Sequence, residues 1–148
     1  MKHQMTVDEK LISSVLDRST IDIPDPSQRR TVIEGLASRC SAQGLYHEAA
    51  RIFMEAGRPE DAMNALVKTG DIEAIVRYIR LIRDPDALIV AGNNLQSHAW
   101  HQRKEIFDAI VLAYKRAGAN LYLASFYDSW GEVTSLQAKN LFFFVVTV

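Results

Sequence analysis

A chain of 148 residues, 48% apolar and 24% charged with only seven glycines and four prolines, has the composition of a soluble helical module with a single core. Its formal net charge of −1 leaves no surplus of Lys and Arg to face phosphates, which excludes the simplest electrostatic case for nucleic acid. No run approaches the roughly twenty apolar residues that span a bilayer, the N-terminus MKHQMTVDEKLISS lacks the apolar core of a secretory signal, and the one cysteine, Cys40, suits a reducing compartment.

Thr6 and Glu9 form a capping-box pattern ahead of Leu11, Ile12, Val15 and Leu16, so a first helix is expected from about Val7, making residues 1–18 an N-terminal helical segment. Residues 19–27 read as a linker, because Pro24 and Pro26 push the residues before them to extended geometry. Ser27 is then the expected cap of a helix over about 28–42 that buries Val32, Ile33, Leu36, Ala37 and Cys40 and ends at Gly44.

Gly44, Gly57 and Gly70 stand thirteen residues apart, with Ala49, Ala62 and Ala74 following each in turn. A helix that ends on a residue of positive φ takes glycine there without steric cost, and small residues such as Ala49, Ala62 and Ala65 let neighbouring backbones approach. The period predicts short helices stacked antiparallel, with apolar faces at Leu45, Ala49, Ile52 and Phe53, then Ala62, Ala65 and Leu66, then Ile72, Ile75, Val76 and Ile79. Pro59 fits a first helical turn, and Asp71 and Asp84 fit caps. Helices of about 15 Å cannot stand alone, so each hides its face against its neighbours.

After Asp84 and Pro85 a helix is expected to reach Leu95, tolerating Gly92 at some cost, and another to run from about Arg103 to the stop at Gly118. Gly131 repeats the thirteen-residue interval, and Tyr122, Phe126, Tyr127 and Trp130 are spaced as a buried stripe for a further hairpin. The helical pattern stops at Val133, leaving residues 134–148 as an atypical apolar tail ending in LFFFVVTV, expected to lie outside the natural fold. The fold class is thus all-α, a right-handed α-solenoid of short tetratricopeptide-like antiparallel hairpins over residues 28–133.

Candidates for chemistry are few. Cys40 and His47 flank a glycine turn and suggest a thiol hydrolase, yet Cys40 falls on an apolar helix face where a thiol behaves as a small hydrophobe. His98 and His101 can share a metal ion but lack further ligands nearby. Phosphate-cradle and zinc-hydrolase motifs are absent, so no catalytic residue, metal or cofactor is expected. Arg77, Arg80 and Arg83 form the only concentrated positive charge, a candidate docking patch for an acidic partner or lipid headgroup.

The segments RRTVIEGLASRCSAQGLYHEAARIFMEAGRPEDAMNALVKTGD, AGNNLQS and LASFYDSWGEV resemble the C-terminal helical region of the hundred-and-forty-kilodalton subunit family of intraflagellar transport complex A, over about Asp22 to Val133. The residues after Val133 depart from that family, and its expected N-terminal propellers are missing, so the resemblance implies a fragment. It further implies a non-catalytic scaffold for retrograde transport and ciliary assembly, with other complex A subunits as partners and a role in membrane-protein entry. The implied location is the cilium or flagellum and its base, with a cytoplasmic pool. A helical segment of a coatomer-like trafficking protein is the alternative, and a small Cys/His hydrolase the remote one.

Overall fold

A computed structural model describes residue 10 and residues 24–146, with side chains as far as residue 137. Among the described residues the regular structure is seven helices and no strand: α1 (Pro26–Ala42), α2 (Tyr46–Glu55), α3 (Pro59–Thr69), α4 (Ile72–Leu81), α5 (Pro85–Leu95), α6 (Lys104–Ala117) and α7 (Asn120–Val146). The expected helix at residues 7–18 lies outside the described residues, Lys10 apart.

Local chemistry sets most boundaries. Gly44, Gly57, Gly70 and Gly118 hold φ of 78°, 71°, 70° and 65°, the left-handed geometry that follows a helix end. Pro59 and Pro85 open their helices, and the carboxylates of Asp71 and Asp84 each accept a backbone N–H three residues on, at 2.9 Å. At α1 the expected cap is displaced. Asp25, not Ser27, takes that place, its Oδ1 accepting the Ser27 N–H at 3.0 Å, because Pro26 serves at the first helical position and the helix begins there.

Two expected stops do not occur. Gly131 lies inside α7 without positive φ, and the helix runs past Val133 to Val146. No proline or glycine follows Gly131, so nothing local interrupts the backbone ladder, and one interior glycine weakens a helix by only about 1 kcal/mol.

The chain divides into two compact units, Met1–Tyr78 and Ile79–Val148, with the boundary inside α4. In the first, α1 packs on α2 and α2 on α3, and the interior holds Ile33, Ala37 and Cys40 with Ala49, Ile52, Ala62, Met63, Ala65 and Leu66. Alanines at the contacts permit short interaxial distances. Val32 is 44% exposed and Leu36 half-buried, contrary to expectation, because only the stripe through residues 33, 37 and 40 faces α2. Arg58 fastens the surface, with Nη1 3.0 Å from Glu34 and Nη2 2.5 Å from Asp61.

In the second unit α5 packs on α6 and α6 on α7 around Leu88, Leu95, Ile106, Ile110, Tyr114 and Phe126. The tightest approach is at Gly92, where an added Cβ would stand 2.7 Å from Cε1 of Tyr114. This glycine makes room for a ring and is more than a tolerated weakness.

Candidate partner-binding surface

Arg77, Arg80 and Arg83 each leave solvent access, but they do not form one helical spiral. α4 ends at Leu81, so Arg83 lies in the connection to α5, while Arg77 belongs to the first compact unit and Arg80 and Arg83 to the second. Pro85 explains the early stop, since a proline disfavours helical geometry in the residue before it. The carbonyls freed at the end of α4 are taken up by Arg116 of α6, whose Nη1 donates to the Arg80 oxygen at 3.0 Å and Nη2 to the Ile82 oxygen at 2.7 Å. Sequence reasoning missed Arg116. A helix end without glycine signals that some donor is needed, but nothing local names one 36 residues away.

Beside these arginines Leu81 is 73% exposed. Other cations of the described chain find carboxylates: Arg58 with Glu34 and Asp61, Arg103 with Glu105, Lys104 with Asp108. Arg80, Arg83 and Arg116 have none within ion-pairing distance among the described residues.

The aromatic stripe of α7 is only partly buried. Phe126 is fully enclosed, its ring 5.0 Å from Trp100 and 5.2 Å from Phe107, whereas Tyr122, Tyr127 and Trp130 are 46%, 38% and 45% exposed. Among the helices of this unit α7 packs against α6, and that contact closes over the centre of the stripe and leaves its flanks open. Tyr122 stacks on Tyr114 and Trp130 leans on Phe107, so these rings are held at their inner edges.

Behind them the segment NNLQS, unexplained by periodicity, supplies a polar clasp. The Tyr114 hydroxyl donates to Asn93 Oδ1 at 2.7 Å and accepts from Gln96 Nε2 at 2.5 Å. Burial pushes the Tyr114 phenol above its ordinary range, the Gln96 hydrogen bond working the other way.

The residues considered for catalysis are not arranged for it. Cys40 is fully buried, and desolvation, with the Glu48 charge second, raises its thiol pKa, which disfavours the thiolate a nucleophile needs. His47 is turned toward Asp71, with Nε2 3.8 Å from Oδ2. His101 sets its ring against Trp100, and among the described residues no group of three or more His, Cys, Asp or Glu could hold a metal ion. No helix among them is long and apolar enough to cross a membrane.

Residues 1–113 match the family model of the IFT140/IFT172 TPR domain, about three quarters of the chain. The match and the all-helical architecture agree on an α-solenoid fold class of tetratricopeptide type, whose members are typically non-catalytic. It gives the chain a scaffold role related to intraflagellar transport, in company with other components of that machinery, and ties it in general terms to the cilium. The chain belongs to the IFT140/IFT172 TPR domain family.

Proposed function

We propose that the chain is a non-catalytic interaction scaffold within a subunit of intraflagellar transport complex A, acting in retrograde transport and in ciliary assembly. The family match over residues 1–113 carries this reading. Within that family, the QGLYHEA turn, the AGNNLQS segment and the FYDSW sequence favour the hundred-and-forty-kilodalton subunit. Its partners are other complex A subunits, with a further role as adaptor for membrane proteins entering the cilium, and it works at the cilium and its base with a cytoplasmic pool.

The physical basis is a set of helix pairs that present side chains along a surface, with affinity concentrated in a few anchors. Half-exposed rings such as Trp130 and Tyr122, fixed at one edge, are suited to that use because little side-chain freedom is left to lose on binding. The arginines Arg77, Arg80 and Arg83 are proposed as docking residues.

The test is capture by the full chain from lysate of ciliated cells, with bound proteins identified by mass spectrometry and Ala65→Glu as the unfolded-stack control. Recovery of complex A subunits by the parent alone is the expected result. Coat proteins in their place would transfer the reading to a coatomer-like scaffold, and nothing above the control would remove it.

A further inference from the structure

We infer that Arg80, Leu81, Arg83 and Arg116 form a docking surface for an acidic protein segment that carries an apolar side chain. The inference rests on the scaffold reading and names a partner class for one part of it.

Arg116 holds its guanidinium against the carbonyls of Arg80 and Ile82, at 3.0 and 2.7 Å. The side chains of Arg80 and Arg83 spring from that same short stretch, so three guanidinium groups share one small area of the second unit. Two of the five donors of Arg116 are spent on the carbonyls, which fixes the fork and leaves donors facing outward. Like charges so grouped repel, and no carboxylate of the described residues comes within 4 Å to relieve them. Nearby in sequence, Asp84 is occupied in capping α5 through the Ala87 N–H, and Asp86 is exposed in the first turn of that helix.

The charge deficit is therefore of carboxylate or another anion, and Leu81, 73% exposed between Arg80 and Ile82, decides the source. A single protruding leucine is too little apolar surface to hold a protein on a membrane, where stable attachment needs a broad apolar face. Inserted between apolar groups of a partner segment and ringed by arginines, it has the make-up of an interface anchor, since Arg and buried apolar groups dominate binding energy at such centres. Carboxylates flanking an apolar residue supply bidentate partners for the guanidinium forks and a contact for Leu81 at once.

The experiment titrates the full chain against a labelled peptide of glutamates surrounding one leucine, and separately against vesicles of phosphatidylserine in phosphatidylcholine. The parent is expected to bind the peptide, more weakly as salt rises. Arg80→Glu with Arg83→Glu weakens binding at least about tenfold, and Leu81→Ala weakens it by a lesser factor. The charge-matched pair Arg29→Glu and Arg30→Glu, in the other unit, leaves it unchanged. Arg116→Lys keeps the charge while losing the fork and serves where Arg116→Ala fails to fold. Equal losses from both pairs would reduce the effect to net charge and overturn the proposal, as would vesicle binding that depends on Arg80 and Arg83, or no peptide binding by the folded parent. Peptide binding that fails while complex A subunits are still captured removes this surface alone. Peptide binding that persists while capture fails removes the transport reading alone.

Discussion

A methyl group added at Gly35, Gly70 or Gly92 meets three different situations, and the sign of the stability change follows from each. Gly35 is exposed inside α1 with nothing within 4 Å of an added Cβ, so Gly35→Ala reduces the freedom of the unfolded chain and is expected to stabilise by about 0.5–1 kcal/mol. Gly70 is equally open but holds φ of 70°, and Gly70→Ala is expected to destabilise by about 1–2 kcal/mol from backbone strain alone. At Gly92 the backbone is helical and the obstacle is Tyr114, 2.7 Å away, so Gly92→Ala is expected to destabilise by about 1–3 kcal/mol through overpacking. Urea unfolding of the three variants measures the order, and a stabilising Gly92→Ala would show that the ring can move. Tyr114 also sets a pH dependence. Below its ordinary pKa of 10.0 the phenol is protonated in both folded and unfolded chains, and its contribution is fully present. Above that value the unfolded chain releases the proton while the buried phenol, raised, retains it, so stability falls as pH rises. Tyr78 and Cys40, raised by burial as well, act in the same direction. Tyr114→Phe is expected to lower stability by about 1 kcal/mol near neutrality and to lessen the loss above pH 10, read from denaturant midpoints across alkaline pH.

At the scale of helices, what can be read from sequence is what local chemistry decides. The caps at Asp71 and Asp84, the prolines that open α3 and α5 and the glycines after α1, α2, α3 and α6 all act within a few residues of themselves. Val32, Tyr127 and Trp130 fall short of the burial that their spacing predicts, because periodicity identifies an apolar face without telling how wide a neighbour covers it. Arg116 and the Tyr114 clasp are illegible for a related reason, their partners lying 36 or 34 residues and 21 or 18 residues away in sequence. Charge density does point to Arg80 and Arg83, while the residue that fixes their backbone stays hidden. Ala65 shows where pattern and packing coincide: it recurs on the small-residue face and is only 4% exposed on α3. Ala65→Glu places a charge in that interior without a partner, and several kcal/mol of destabilisation are expected. A thermal midpoint within about a degree of the parent would show that α3 accommodates the longer side chain by turning it to solvent.

At the scale of the molecule, the division at Tyr78 gives each unit its own interior, around Ile52, Met63 and Leu66 in one and Leu95, Ile110, Tyr114 and Phe126 in the other. Repeat arrays are stabilised by terms between neighbouring helices, so damage in one place need not be felt uniformly along the chain. The two tryptophans make this measurable, because Trp100 and Trp130 both fall in the unit Ile79–Val148 and the other has none. Far-ultraviolet circular dichroism follows helices throughout, while tryptophan fluorescence follows the second unit through rings packed on Phe107 and Phe126. For units of this size 1 kcal/mol moves a midpoint by roughly 4–8 °C, so Ala65→Glu is expected to lose ellipticity in an early step more than about 10 °C below the fluorescence transition. In Gly92→Ala the order reverses, with fluorescence changing first while the helices of the first unit persist. Coincident midpoints in both variants would mean that the interiors unfold as one, and that stability passes through α4 as strongly as through either core.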